Sequence, residues 1–182
     1  LTKNRQQKRN PMPDPTNQAH GLIELLGLKR HPEGGWYREV YRSNETLGVA
    51  SLPERFDFPH NFATSIYYLL ESGDLSAFHR IKSDETWHFY LGSPVNLYIL
   101  HDDGTLQKVM LGDNPGAGHF FQFTVSHGLW FGAEVSVPGS FALMGCTVSP
   151  GFGFGDLEFA TFSDLQQKYS RYATLIRRLT RD

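Results

Sequence analysis

Short strands at regular spacing are the feature that most constrains the fold of this chain. Runs rich in aromatic and β-branched residues recur between residues 63 and 148, and turn sequences such as Asp103-Gly104 and Pro138-Gly139 separate them. The predicted strands are 63–70, 75–81, 86–91, 95–100, 106–111, 120–125, 130–135 and 141–148. Such even spacing predicts an all-β barrel.

The segments on either side of the barrel have other patterns. Residues 1–18 are basic and proline-rich, which predicts a flexible arm, and the apolar spacing from Asn17 to Leu26 predicts a short helix. Residues 163–182 have the apolar period of an amphipathic helix, with Ser163 and Gln166 as its capping box. We therefore expect a basic arm (1–18), a barrel with its N-terminal helix and arm (19–162), and a C-terminal helix (163–182) on the same domain.

Composition limits the kind of partner. A chain of 182 residues with 40% hydrophobic content suits one buried core. A net charge of −2 offers no overall positive field for phosphate backbones, so nucleic acid is not an expected partner. Because no apolar run approaches the roughly 18 residues of a membrane span and no signal peptide is visible, we expect a cytoplasmic protein without a membrane partner.

The stretch from Gly73 to Gly92 carries the most chemistry. It places a histidine, His79, and a carboxylate, Glu85, on neighbouring predicted strands. The stretch resembles the first motif of the cupin superfamily, in which a glycine, two nearby histidines, a glutamate and a closing glycine recur. Ile81 stands where that motif has its second histidine.

Three further phrases bring the chain close to an uncharacterised, cupin-like branch of unknown function. They are His-Pro-Glu-Gly-Gly at 31–35, Ser-Asp-Glu-Thr-Trp-His-Phe-Tyr-Leu-Gly at 83–92 and Gly-Cys-Thr-Val-Ser-Pro-Gly-Phe at 145–152. The resemblance implies an RmlC-like jelly roll, also called a double-stranded β-helix, with a pocket inside the barrel and usually a homodimer. We expect the N-terminal region and the loop at 43–60 to cross between subunits.

The main departure from typical cupins lies at the positions of the metal ligands. In the second cupin motif, Phe131 takes the place of a metal-binding histidine, so any metal would have His79 and Glu85 as its remaining usual ligands. Two protein ligands seldom hold zinc or iron tightly. A rebuilt site would need His88, His119 or His127, although strand alternation turns His88 away from Glu85.

The remaining candidates are organic-ligand contacts. We expect Glu85 to act as a general base or acid in an apolar pocket and His79 to orient it or supply the acid. Trp87 and Tyr67 offer flat faces for a ligand, or simply pack in the core. The other candidate contacts are Phe131, His88 and Glu134, the last of which is otherwise an exposed strand end.

These residues favour a small-molecule pocket without a metal. The leading hypothesis is binding and isomerisation or epimerisation of a carbohydrate-like or nucleotide-sugar-like compound by proton transfer at Glu85 and His79. Two alternatives stay open: a cupin that binds a ligand without catalysis, and a metal-dependent cupin enzyme with a rebuilt His/Glu site.

Overall fold

The computed structural model describes residues 14–181, which form a mostly β structure. The helices are α1 (Pro15–Leu26), α2 (Phe162–Gln166) and α3 (Ala173–Leu179). The strands are β1 (Lys29–Arg30), β2 (Trp36–Arg42), β3 (Thr46–Leu47), β4 (His60–Asn61), β5 (Thr64–Glu71), β6 (Leu75–Arg80), β7 (Asp84–Gly92), β8 (Val95–Leu100), β9 (Leu106–Leu111), β10 (Gln122–Val125), β11 (Trp130–Val135), β12 (Phe141–Ser149) and β13 (Glu158–Phe159).

Two facing sheets make the barrel. One has the order β1-β2-β5-β12-β7-β10 and the other β13-β6-β11-β8-β9, and the pairs between neighbouring strands are antiparallel. Apolar side chains from both sheets, among them Trp87, Leu97, Phe131 and Met144, form the core between them. The predicted all-β jelly roll is therefore confirmed.

The predicted strands agree closely with the observed ones. The strands expected at 95–100, 106–111 and 130–135 have those bounds in the structure. The strand expected at 120–125 starts at Gln122, because Phe120 pairs only in an isolated bridge to Leu111.

The C-terminal segment is helical but is not the single helix that its period predicted. The capping box is formed by Thr161 and Asp164 rather than by Ser163 and Gln166, and the first helix ends after Gln166. Tyr169 does not have helical backbone geometry. It is buried beside Leu165 and Ile176, and this cluster packs on the outer face of the second sheet. Packing against this face therefore overrides the continuous local pattern.

Helix α1 starts two residues earlier than predicted. Asp14 accepts a hydrogen bond from the Thr16 amide at 3.0 Å, and Pro15 takes the first helical position, where its missing N–H costs nothing. Gly27 ends the helix with a φ of 59°. The predicted arm thus overlaps the helix at 15–18, and its residues 1–13 lie outside the described part. Between residues 14 and 181, no helix is both long and apolar enough to cross a membrane.

A buried ion-pair cluster ties the loop at 43–60 to the turn after β12. His60 Nε2 lies 2.6 Å from Asp156 Oδ2, and His60 Nδ1 donates to the Phe58 carbonyl oxygen at 2.8 Å. Phe56 and Phe58 cover the imidazole, and Lys82 Nζ approaches Asp156 Oδ1 at 3.8 Å. The predicted long loop is therefore anchored at its end, next to the turn that carries Phe152 and Phe154.

We predict that Asp156→Ala lowers the free energy of unfolding by about 3–5 kcal/mol, because it leaves His60 buried without its partner. Urea denaturation measures this loss. The matched control is Asp57→Ala, which removes an exposed carboxylate from the same Lys82 and should change stability little. Equal losses in the two variants would contradict a structural role for the buried pair.

Candidate functional site

A cavity of about 380 Å³ opens at one end of the barrel. Its floor is buried and includes Glu33, His79, Ile81, Glu85 and Cys146, whereas its rim includes exposed charged side chains. The full lining is Lys29, His31, Glu33, Tyr37, Arg38, Glu39, Arg42, Thr64, Ile66, His79, Ile81, Glu85, Cys146, Val148, Phe152, Gly153 and Phe154.

The loop between β1 and β2 places Glu33 at this floor. Its carbonyl oxygen accepts a hydrogen bond from the Ala77 amide at 2.9 Å, so the loop is joined to β6. Gly34 has a φ of 119° and Gly35 a φ of 66°, and a Cβ at Gly35 would lie 2.6 Å from the Leu69 carbonyl oxygen. Only glycine fits this close approach. The two glycines therefore allow the loop to place Glu33 at the floor of the cavity.

Glu33 and His79 form a buried pair. Glu33 Oε2 lies 3.1 Å from His79 Nε2, and Glu33 Oε1 accepts a hydrogen bond from Ser76 Oγ at 3.1 Å. His79 Nδ1 donates to the Ala77 carbonyl oxygen at 2.7 Å. Because a carbonyl oxygen can only accept, Nδ1 carries a proton, and Nε2 is the nitrogen that faces Glu33.

His31 is held neutral beside this pair. The Glu33 amide donates to His31 Nδ1 at 3.3 Å, and the imidazole packs edge-on against Tyr37 with ring centres 4.4 Å apart. Burial lowers the pKa of His31 despite the charge of Glu33, and His79 and Arg181 lower it further. Neutral His31 with an acceptor at Nδ1 carries its proton on Nε2 and is a hydrogen-bond donor there.

Glu85 is the second carboxyl group of the floor. Burial, followed by the negative charge of Glu33, raises the pKa of Glu85 to about 8, although a hydrogen bond from the Cys146 thiol acts in the opposite direction. Burial also raises the pKa of Cys146, as do the charges of Glu85 and Glu33. At neutral pH Glu85 is therefore a carboxylic acid and Cys146 a thiol.

The two glutamates thus have different surroundings in one cavity. Glu33 contacts a histidine and a serine hydroxyl, whereas burial keeps Glu85 protonated. A protonated carboxyl group and a glutamate–histidine pair in one cavity can supply an acid and a base. The arrangement can remove a proton at one point of a ligand and add one at another.

The structure brings the two central candidates together but not the others. Glu85 and His79 both line the cavity. Trp87 and Phe131 lie deeper in the barrel core, where the Phe131 ring packs 4.2 Å from His79, centre to centre. They support the floor from below and do not line the cavity.

Three other candidates face away from the cavity. Tyr67 packs in the cluster beneath α1, and His88 bonds to Thr147 on the opposite face of β7. Glu134 accepts a hydrogen bond from Tyr98 and pairs with Arg178 under the C-terminal helices. Each lies on the face of its strand opposite the barrel interior, as the alternation of side chains along a strand requires.

Glu33 and His31 were not predicted as site residues. Their phrase, His-Pro-Glu-Gly-Gly, reads as a turn, and turns usually expose a glutamate. The signal lay in the two successive glycines, which allow close contact with another backbone. Nothing local indicated that this turn would fold inward onto β6.

The floor does not fit the divalent metal of typical cupins. Both nitrogens of His79 are engaged, Ile81 lines the cavity where a second histidine would be needed, and Phe131 covers His79. Within residues 14–181, no three or more His, Cys, Asp or Glu side chains are grouped so that they could hold a metal ion. Of the proposed substitutes, His88 bonds to Thr147 and exposed His127 bonds to Asp84.

Two antiparallel sheets closed around a pocket, with a histidine and a glutamate at its floor, define a protein of the cupin class. Comparison with known proteins makes this specific: residues 20–160 match the model of the family described as Cupin superfamily (DUF985), and the chain belongs to that family.

Similar proteins occur in distant organisms. A solved structure of protein SO0799 from Shewanella oneidensis is 35% identical, with a TM-score of 0.80, over 90% of this chain and 97% of that one. A hypothetical protein from Leishmania major is 30% identical, with a TM-score of 0.82, over 90% of this chain and 99% of that one. The uncharacterized protein YML079W of Saccharomyces cerevisiae is 27% identical over 85% of this chain and 81% of its own length. None of these descriptions states an activity.

We predict that Glu85 makes the stability of the protein pH-dependent. Because the folded state keeps a proton up to a pKa of about 8 and the unfolded state releases it near 4.5, the contribution of Glu85 is complete below pH 4.5 and is lost as the pH rises to 8. The loss reaches at most about 1.4 kcal/mol per pH unit. Glu85→Gln removes this loss.

Denaturation of both proteins across this pH range measures the effect. The stability of Glu85→Gln relative to the wild type should increase steadily with pH. Parallel curves for the two proteins would show that Glu85 titrates normally.

Proposed function

We propose that this protein is a metal-independent cupin enzyme that isomerises or epimerises a carbohydrate-like or nucleotide-sugar-like compound. The observation that carries the proposal is the buried Glu33–His79 pair in the same cavity as a protonated Glu85. Such a set supplies a base and an acid without a redox group, and isomerisation of a sugar needs nothing more.

The proposed steps move protons only. The Glu33 carboxylate, with His79 as its partner, removes the proton from a carbon next to a carbonyl group of the ligand. Glu85 donates its proton to the carbonyl oxygen, so that an enediol forms while the electron pair of the C–H bond moves toward that oxygen. As the carbonyl group forms again, the enediol gives an O–H proton back to Glu85. A proton from solvent at the opposite face of the same carbon gives an epimer, and the Glu33–His79 pair then releases its proton to solvent. A proton from the pair to the neighbouring carbon gives an isomer.

Of the two roles that its sequence context predicts, base or acid, Glu85 takes the acid role first. A pKa of about 8 leaves it protonated at neutral pH, so it acts first as an acid. His79 does not act alone either, because its Nε2 lies 3.1 Å from Glu33 Oε2. Glu33, unrecognised in the sequence, takes the role of base.

The walls of the cavity support a carbohydrate-like ligand. Glu33, His31 and Thr64 offer polar groups to hydroxyls, and Tyr37 and Phe154 near the rim offer aromatic faces for the C–H side of a sugar ring. A volume of about 380 Å³ lies within the range of small-molecule pockets.

We further propose a homodimer. Large apolar side chains are exposed on β2 and in the adjoining loop and hairpin, namely Val40, Tyr41, Val49 and Phe62. Val49 lies in the loop at 43–60, which is expected to cross between subunits, and the other three side chains flank this loop. Pairing of two chains would cover them. Light scattering tests the proposal, since a mass of one chain at all concentrations would contradict it. A cytoplasmic location stays a prediction from the sequence.

Deuterium exchange tests the catalytic proposal. The protein is incubated in D₂O with aldoses, ketoses, sugar phosphates and nucleoside diphosphate sugars, and the products are analysed by NMR. We expect deuterium at a carbon next to the carbonyl of one class, with a rate that falls about 100-fold or more in Glu33→Gln and in Glu85→Gln. The control, Glu158→Gln, changes an exposed carboxylate that pairs with Arg80 outside the cavity and should keep the wild-type rate.

Two outcomes would overturn the proposal. Exchange at equal rates in wild type and both floor variants would remove Glu33 and Glu85 from the mechanism. Saturable binding of a compound that never exchanges would identify a binding protein of the same fold rather than an enzyme.

A further inference from the structure

His31 lines the cavity, but the proton-transfer steps do not use it. We propose that His31 is a further catalytic residue: its Nε2–H group donates a hydrogen bond to the carbonyl oxygen of the ligand and stabilises the negative charge that develops there. The inference rests on the proposed function, because it gives a second donor to the oxygen that Glu85 protonates.

Strand alternation directs the His31 imidazole into the barrel. Lys29 on β1 pairs with Tyr37 on β2, and Tyr37 packs against the core between the sheets, so Lys29 lies on the inward face. His31 follows two residues after Lys29 and points to the same side. The ring contacts agree with this direction, since the His31 ring centre lies 4.4 Å from that of Tyr37 and 6.0 Å from that of the buried Tyr68.

One ring nitrogen of His31 has a partner and the other does not. The Glu33 amide donates to Nδ1 at 3.3 Å, whereas Glu33 Oε2, 3.7 Å from Nδ1, is too far away for a hydrogen bond. A nitrogen that accepts a hydrogen bond carries no proton, so the proton of the neutral ring is on Nε2. Within residues 14–181 Nε2 makes no hydrogen bond, and it is not among the partnerless side-chain atoms that the protein encloses completely.

The depth of His31 makes this free donor significant. Its side chain is only 6% exposed, and a buried donor without a partner costs free energy until an acceptor reaches it. Because His31 lines the cavity, a ligand in the cavity can supply that acceptor. Tyr37 packs edge-on against the ring and Phe154 stacks on it with centres 6.2 Å apart, so the donor is already oriented when charge develops on the ligand.

The neutral form of His31 suits this role. Burial lowers the pKa of His31 below its ordinary value of 6.5, although the charge of Glu33 acts in the opposite direction. A neutral imidazole can polarise a carbonyl group through its N–H while it keeps its proton. Glu85 therefore remains the group that transfers a proton to the oxygen, and the two lone pairs of a carbonyl oxygen can accept from both donors.

The proposed base and the new donor belong to the same loop. Glu33 Oε2 lies 3.1 Å from His79 Nε2 and 3.7 Å from His31 Nδ1, so the carboxylate is next to both rings. A ligand whose C–H group meets this carboxylate has the carbonyl group of its next carbon beside the His31 ring. Glu85 reaches the same cavity from β7.

Deuterium exchange in the responsive class of sugar measures the catalytic role. His31→Leu keeps an apolar side chain against Tyr37 but removes the donor, and we expect the exchange rate to fall about 100-fold or more. His31→Gln can place an amide N–H near the position of Nε2 and should recover most of the rate. The control is His101→Leu, which removes a histidine that bonds to Gln107 outside the cavity and should keep the wild-type rate.

Glycolohydroxamate tests the donor without turnover, because its planar hydroxamate group mimics an enediol. Calorimetry of the full chain should show saturable binding that is at least about tenfold weaker in His31→Leu and near the wild-type value in His31→Gln. In wild-type protein labelled with ¹⁵N-histidine, NMR should show the proton of His31 on Nε2, and this signal should shift when the hydroxamate binds. The signal that disappears in His31→Gln identifies His31.

Four results would overturn the role of His31: a proton on Nδ1 in the free protein, no saturable binding at millimolar glycolohydroxamate, equal binding by His31→Leu, or equal exchange by His31→Leu. Exchange that is equal in His31→Leu and the wild type would leave the proposed enzyme standing without this residue. Hydroxamate binding that depends on His31, without deuterium exchange in any compound, would support the donor and reject the enzyme.

Discussion

The site depends on one buried interaction, the pairing of Glu33 with His79. An unpaired carboxylate at such a depth would lose several kcal/mol of hydration. Here the imidazole and Ser76 replace that water, while the Ala77 carbonyl fixes the orientation of the ring. The negative charge of Glu33 adds to the effect of burial and raises the pKa of Glu85, which helps to keep that carboxyl group protonated.

The pair can form because Gly34 and Gly35 allow the loop between β1 and β2 to enter the end of the barrel. Tyr68 donates to the Gly34 carbonyl oxygen at 2.9 Å from the barrel side, and Arg181, near the C-terminus, donates to the Pro32 carbonyl oxygen from outside. The loop is thus held between the core and the C-terminal segment. Ile81 and Phe131 stand where the cupin motifs that this chain resembles have metal-binding histidines. Ile81 lines the cavity, and Phe131 covers the ring of His79.

The sequence predicted the parts of the structure that depend on local pattern. The even spacing of short strands predicted the barrel. Strand alternation predicted that His88 points away from Glu85, and His88 does bond to Thr147 on the opposite face of β7. The sequence did not predict the break at Tyr169, because tertiary packing there outweighs the helical period. It also did not predict the role of Glu33, because the partner of Glu33, His79, is distant in sequence. Tyr67, Glu134 and His88 had suitable chemistry, but their strand faces direct them to other surroundings.

The protonation state of Glu85 tests the account most directly. Glutamate labelled with ¹³C at the side-chain carboxyl allows each carboxyl group to be titrated by NMR, and Glu85→Gln identifies the signal that belongs to Glu85. The account predicts one buried carboxyl that titrates near pH 8 and disappears in this variant. A Glu85 signal that titrates near 4.5, the ordinary pKa of a glutamate, would contradict the division of acid and base between the two glutamates.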